Sequence, residues 1–138
     1  MRLMTAIGCV LISMNAYADP CRGDGSGAPL TVTDWSIEEV EIGVSKGMDI
    51  TVSMRSNAQK PFRMVDASFN FEDALGNYIS SFTADPDLAA APGEVVMTVN
   101  GYLGSEMSRV LKMNRNDVVV YACTHELLYE DGTRETFE

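Results

Sequence analysis

Apolar and polar residues alternate along most of this chain, and the alternation predicts strands. The clearest case is Met48, Ile50, Val52 and Met54, interleaved with Asp49, Thr51, Ser53 and Arg55. Side chains in a strand point to opposite faces in turn, so this register gives one buried and one wet face. Val65, Ala67, Phe69 and Phe71 repeat the pattern against Asp66, Ser68 and Asn70. Residues 30–42 alternate with changes of phase, through Leu30 and Val32, then Trp35 and Ile37, then Val40 and Ile42. Such phase changes predict a strand interrupted by bulges, not a helix. Residues 78–83 read as a short strand, and Val95, Met97 and Val99 lead a further one. A long strand is expected from Asp117 to Tyr129, central in its sheet because Val118, Val119 and Val120 are apolar on both faces. Residues 133–137 return as the last strand.

Turn chemistry separates these runs. Residues 43–47 form a turn and residues 57–61 a polar loop. Asp73-Ala74-Leu75-Gly76-Asn77 reads as a hairpin turn, with Gly76 or Asn77 free to take a positive φ. Asp131-Gly132 is a two-residue hairpin signal. Residues 84–93 form a loop ending in Pro92-Gly93, and only residues 88–91 look helical. Residues 101–113 fit either a helical turn through Met107, Val110 and Leu111 or a loop with a short strand. About seven short strands with little helix predict an all-β antiparallel sandwich.

The first 18 residues carry a different signal. Arg2 is followed by the uncharged, apolar residues 3–14 and then by Ala16-Tyr17-Ala18. This is the layout of a secretory signal peptide with a small-x-small cleavage site. The apolar run is shorter than the roughly twenty residues that span a bilayer. Residues 19–29 then form a loop-like lead-in, and residues 30–138 the sandwich. Loss of Arg2 takes the formal charge from −10 to −11. That acidity argues against nucleic acid and anionic membrane surfaces as partners. Cys9 leaves with the leader, so Cys21 and Cys123 remain as an even pair in an oxidising compartment, the periplasm or the exterior. A disulfide between them is expected.

Two resemblances follow from short motifs. Asp117-Val118-Val119-Val120-Tyr121-Ala122-Cys123 resembles the D-x-x-x-Y-x-C pattern of immunoglobulin-like domains. That resemblance implies a structural corner at Tyr121 and Asp117, and a cysteine that joins the two sheets. Trp35 follows Cys21 at the spacing such domains use, although Cys21 sits in Asp-Pro-Cys-Arg-Gly-Asp-Gly, which is no strand. The middle of the chain resembles bacterial extracytoplasmic domains of the FxLYD type. Phe69-Asn70-Phe71-Glu72-Asp73 keeps the Phe and Asp of that motif, with Phe71 for Leu and Glu72 for Tyr. The turns at Asn57 to Pro61, at Gly76 and at Pro92-Gly93-Glu94 are similar to the family's turns. The resemblance implies a sandwich module of envelope proteins and no catalytic residue.

Candidate chemistry is sparse. His125, the only histidine, lies two residues from Cys123, so a strand would put both on one face. No motif of a cysteine hydrolase accompanies them, and a strand histidine beside a disulfide is the expected reading. Met54, Met64, Met97, Met107 and Met113 could suit Cu(I), yet methionine usually fills core gaps. Asp85 and Asp87 form an acidic loop without the ligand spacing of a strong calcium site. Glu38, Glu39 and Glu41 read as a solvated strand edge. Arg22-Gly23-Asp24 spells an adhesion tripeptide that flexible loops also produce by chance.

The expectation is an exported, non-enzymatic binding or assembly module with an envelope protein as partner. It needs no cofactor or metal, and no membrane insertion after leader cleavage. Recognition is expected at strand edges or at the loop carrying Asp85 and Asp87. The alternative is an envelope protein that binds a small ligand or a calcium or copper ion.

Overall fold

A computed structural model describes Cys21, residues 28–102 and residues 104–137. The proposed leader, the Arg22-Gly23-Asp24 tripeptide and most of the lead-in lie outside the described residues. Seven strands run in chain order: β1 (Leu30–Ile42), β2 (Ser45–Ser56), β3 (Phe62–Asp73), β4 (Tyr78–Thr83), β5 (Val95–Tyr102), β6 (Val118–Tyr129) and β7 (Arg134–Thr136). A five-residue helix, α1 (Ser108–Lys112), and a 3-10 turn (Arg115–Asp117) stand between β5 and β6. Every pairing is antiparallel, and the strands form two sheets, β1-β2-β5 and β4-β3-β6-β7. The chain is therefore an all-β sandwich.

The core lies between the sheets. On β2, Met48, Ile50, Val52 and Met54 are buried, as their alternation predicts. On β3, Val65, Ala67, Phe69 and Phe71 face them, and Phe62 closes one end. A row of rings crosses the layer edge to face: Trp35 to Phe71 at 5.8 Å, Phe71 to Phe82 at 5.6 Å, and Phe82 to Tyr102 at 5.2 Å. Each such pair adds about 0.5–1.5 kcal/mol beyond area burial. Phe82 on β4 thus sits opposite Tyr102 on β5, while β1 packs over β6. One flank of the sandwich is made by β4 and β5, the other by β1 and β7.

Irregularities fall where the sequence changes phase. The register of β1 against β2 slips between Val32 and Asp34, so the bulge expected in this strand lies at Thr33. In β6 the slip leaves His125 without a partner on β3, which brings Leu127 and Tyr129 onto the face already used by Ala122 and Thr124. The turn after β1 is tighter than the expected span of residues 43–47. Gly43 takes φ 64°, and β2 resumes at Ser45. Gly76, at φ 83°, closes the β3–β4 hairpin as its sequence predicts. Of the two readings of residues 101–113, the helical turn is the one formed, with Met107 and Val110 buried and Leu111 partly exposed.

The strand β6 is central as its apolar run predicts, and two features of the packing go beyond what the alternation states. The first concerns Val119, which is 45% exposed although β6 is interior to its sheet. The outer face of that sheet carries no second layer among the described residues, and β7 pairs only with Glu126 to Leu128. The second concerns β5. Val95, Met97 and Val99 do not face the core. Thr98 is buried, Val96 and Tyr102 pack against the core, and the apolar triplet faces out. With Val96 also apolar, alternation alone did not settle the phase. Tyr102 settles it by joining the ring row, and residues of its parity turn inward with it.

Candidate functional site

The sequence-predicted residues do not converge. Cys21 and Cys123 form a disulfide across 102 positions of sequence. Cys123 is half-buried on the outer face of β6, while its neighbours Ala122 and Thr124 fill the interior. The bond therefore ties Cys21 to the outer face of one sheet and does not join the two sheets. Tyr121 shares that outer face. Its hydroxyl donates to Glu72 on neighbouring β3 at 2.7 Å. Asp117 ends the 3-10 turn, and its carbonyl accepts from Ala74 N–H at 2.9 Å. The shared cause is phase: Tyr121 and Cys123 occupy one face, and it is the outer one. Trp35 lies on β1, with the Arg115 guanidinium 4.4 Å over its ring and Arg115 paired to Asp34 at 2.5 Å.

The chemistry-bearing groups are apart as well. Cys123 is held in the disulfide, so it cannot act as a thiolate beside the exposed His125. Met54 and Met107 are buried in the core, whereas Met64 and Met97 are exposed on different sheets. Among the described residues no group of three or more His, Cys, Asp or Glu side chains could hold a metal ion. No helix of the described residues is long and apolar enough to cross a membrane.

Asp85 and Asp87 are exposed on a connection that is more ordered than a loop reading suggests. After β4 the chain keeps running beside β3. Ala84 N–H donates to the Ala67 carbonyl, Val65 N–H to Pro86, and Phe62 exchanges two bonds with Ala90. It then crosses to the other sheet, where Gly93 N–H donates to Ser56 at 2.8 Å and Ser56 N–H to Glu94 at 2.9 Å. The Asp85 carboxylate accepts from Asp87 N–H at 2.9 Å and so caps its own turn. This strap covers the β3 edge beyond β4.

One carboxylate has a strong structural task. Asp73 is buried and accepts from Leu75 N–H, from Asn77 N–H, from the Asn77 side-chain amide and from Arg109 at 2.8 Å. Arg109 first, then the turn N–H groups, hold its carboxyl well below the usual carboxylate range. The clamp ties α1 to the β3–β4 hairpin. The work of Asp73 here is architectural.

What remains is a surface on a strand edge, and the sequence reading, which expected recognition at strand edges, did not single out this strand. On the outer face of β5, Val95, Met97 and Val99 are 48%, 64% and 59% exposed. They stand beside Arg55, Ser53 and Thr51 of β2. Beyond β5 no further strand pairs among the described residues. Nor does any charged residue occur between residues 95 and 105, or between residues 74 and 84, the stretches containing β5 and β4. The opposite flank is different: β1 carries Asp34, Glu38, Glu39 and Glu41, and β7 carries Arg134 and Glu135. Charge on an edge strand discourages pairing with other chains. One flank is guarded in this way and the other is not.

A concavity of about 320 Å³ lies on the outer face of the other sheet, lined by Met64, Val65, Asp66, Pro86, Leu128 and Arg134 among others. Comparison with protein-family models, with curated proteins and with solved structures returned no match.

Proposed function

We propose that this chain is an exported, non-enzymatic binding or assembly module of the cell envelope with an immunoglobulin-like fold. The sheet order β1-β2-β5 over β4-β3-β6-β7 supports that fold reading. It corresponds to the A-B-E and C′-C-F-G arrangement of immunoglobulin-like sandwiches, without strand D. The observation that carries the functional reading is the outward stripe of Val95, Met97 and Val99 on an uncharged edge strand. Exposed apolar side chains beside unpaired backbone N–H and C=O groups suit strand addition, in which the backbone supplies affinity and alternate side chains supply specificity. The leader-like N-terminus and the disulfide favour an oxidising compartment.

The test is cross-linking capture from the native envelope with the tagged mature chain and its Met97→Lys variant. A stoichiometric partner held by the wild type and lost by the variant is the expected result. Equal capture by both, or a chain that recovers nothing and remains monomeric, would overturn the reading. The groove at Met64 and Leu128 supports a second reading, a binder of a small apolar ligand. Thermal shifts with an apolar ligand panel, abolished by Leu128→Glu, would favour it.

A further inference from the structure

We infer that the β5 edge is a self-recognition surface, and that its occupant is the β5 strand of a second copy, running antiparallel about a two-fold axis at Met97. The inference rests on the binding-module reading above and names its partner.

Three observations carry it. The first is symmetry in the residues themselves. With the axis at Met97, Val95 of one copy lies opposite Val99 of the other, and Met97 lies opposite Met97. All six side chains stand on one outer face, because residues of like parity share a face. An isologous contact demands this kind of self-complementary patch. Apolar pairs placed directly opposite one another are the stabilising unit of an antiparallel ladder.

The second observation is charge. Two copies of an acidic chain, each of net charge −10, repel unless they meet where charge is absent. The β5 stretch is such a place. The nearest carboxylate in sequence is Glu94. In the proposed register each Glu94 stands opposite Asn100 of the other copy. The two carboxylates are then six residues apart along the ribbon, ~20 Å, beyond the ~8 Å screening length at physiological salt.

The third observation is the flank. Among the described residues β5 is bonded only to β2, so its other side presents the backbone donors and acceptors of alternate residues. Proline, lysine and glutamate, the residues that usually blunt an edge, are absent from it. Pairing two such edges gives one continuous six-stranded sheet, β1-β2-β5 joined to β5-β2-β1.

The experiment uses the full mature chain with its disulfide intact. Met97→Cys places two thiols opposite each other at the axis, where facing Cβ atoms lie about 4.5–5.5 Å apart. Mild oxidation should convert it to a covalent dimer that unfolds like the wild type. Val119→Cys, on the exposed outer face of the other sheet, is the control and should form no covalent dimer. Sedimentation equilibrium supplies the second readout. The wild type should self-associate reversibly, and Met97→Lys, which opposes two like charges at the axis, should do so at least about tenfold more weakly. Met97 is exposed, so neither substitution disturbs the core.

Equal cross-linking of the two cysteine variants would overturn the inference, as would a wild type that stays monomeric at high concentration. A monomeric wild type that still captures an envelope partner through Met97 would remove self-recognition and leave the binding-module reading standing. A monomer without any partner would remove both.

Discussion

Removing the Cys21–Cys123 bond isolates an effect that acts almost wholly on the unfolded chain. Cross-linked positions separated by 102 residues restrict the unfolded ensemble, and the chain-entropy relation for that length gives about 4.7 kcal/mol at 25 °C. The folded state should change little, because Cys123 is half-buried on an outer face and its truncation opens no cavity between the sheets. Cys21→Ala with Cys123→Ala should therefore cost about 2–5 kcal/mol and keep the native circular dichroism of a β protein. Either substitution alone should match the pair, since each breaks the same loop. Urea unfolding followed by fluorescence of Trp35, the only tryptophan, reads both numbers needed. The midpoint should fall, and the slope of free energy against urea should rise because the opened chain exposes more surface on unfolding. A loss below about 1 kcal/mol with an unchanged slope would refute the reasoning.

Two further predictions concern pH. Asp73 is held below the usual range by Arg109 and the turn N–H groups, whereas an unfolded aspartate titrates near 3.9. Below about pH 4 the unfolded chain therefore binds more protons than the folded one, and stability falls as pH drops. Asp73→Asn should flatten this acid limb in melting temperatures taken across the range, and an equally steep limb would count against the clamp. Tyr129 is pushed up to about 12 by burial and by donation of its hydroxyl to Glu135. Between about pH 10 and that value only the unfolded chain loses the proton, so stability falls as pH rises. Glu135→Gln should bring the phenol's titration down, and an ultraviolet difference titration that does not move would contradict the assignment.

The strands were legible because β2 and β3 bury one face cleanly, and their buried residues are those the alternation marks. The turns were legible because Gly76, Asp131 and Gly132 carry their own backbone chemistry. The face of β5 was not legible. Val95, Val96 and Met97 are all apolar, and only a contact distant in sequence, Tyr102 against Phe82, decides which of them turn inward. The same limit applies to Tyr121 and Cys123. Their spacing puts them on one face, but the choice of face depends on Ala122 and Thr124 fitting the narrow interior. The strap formed by residues 84–94 was hidden too, because its bonds to β3 use backbone groups, and Pro86 and Ala90 contribute only carbonyls and an amide. A candidate surface was visible in sequence only as an absence of charge between residues 95 and 105.

The position of the disulfide also orients the molecule. Cys123 lies on the outer face of β4-β3-β6-β7, and Val95, Met97 and Val99 lie on the outer face of β1-β2-β5, so the two point in opposite directions. Cys21 is moored on the first face. A support gripping the protein from that side would leave the apolar stripe turned toward the bulk solution, like the far side of a plate held from behind.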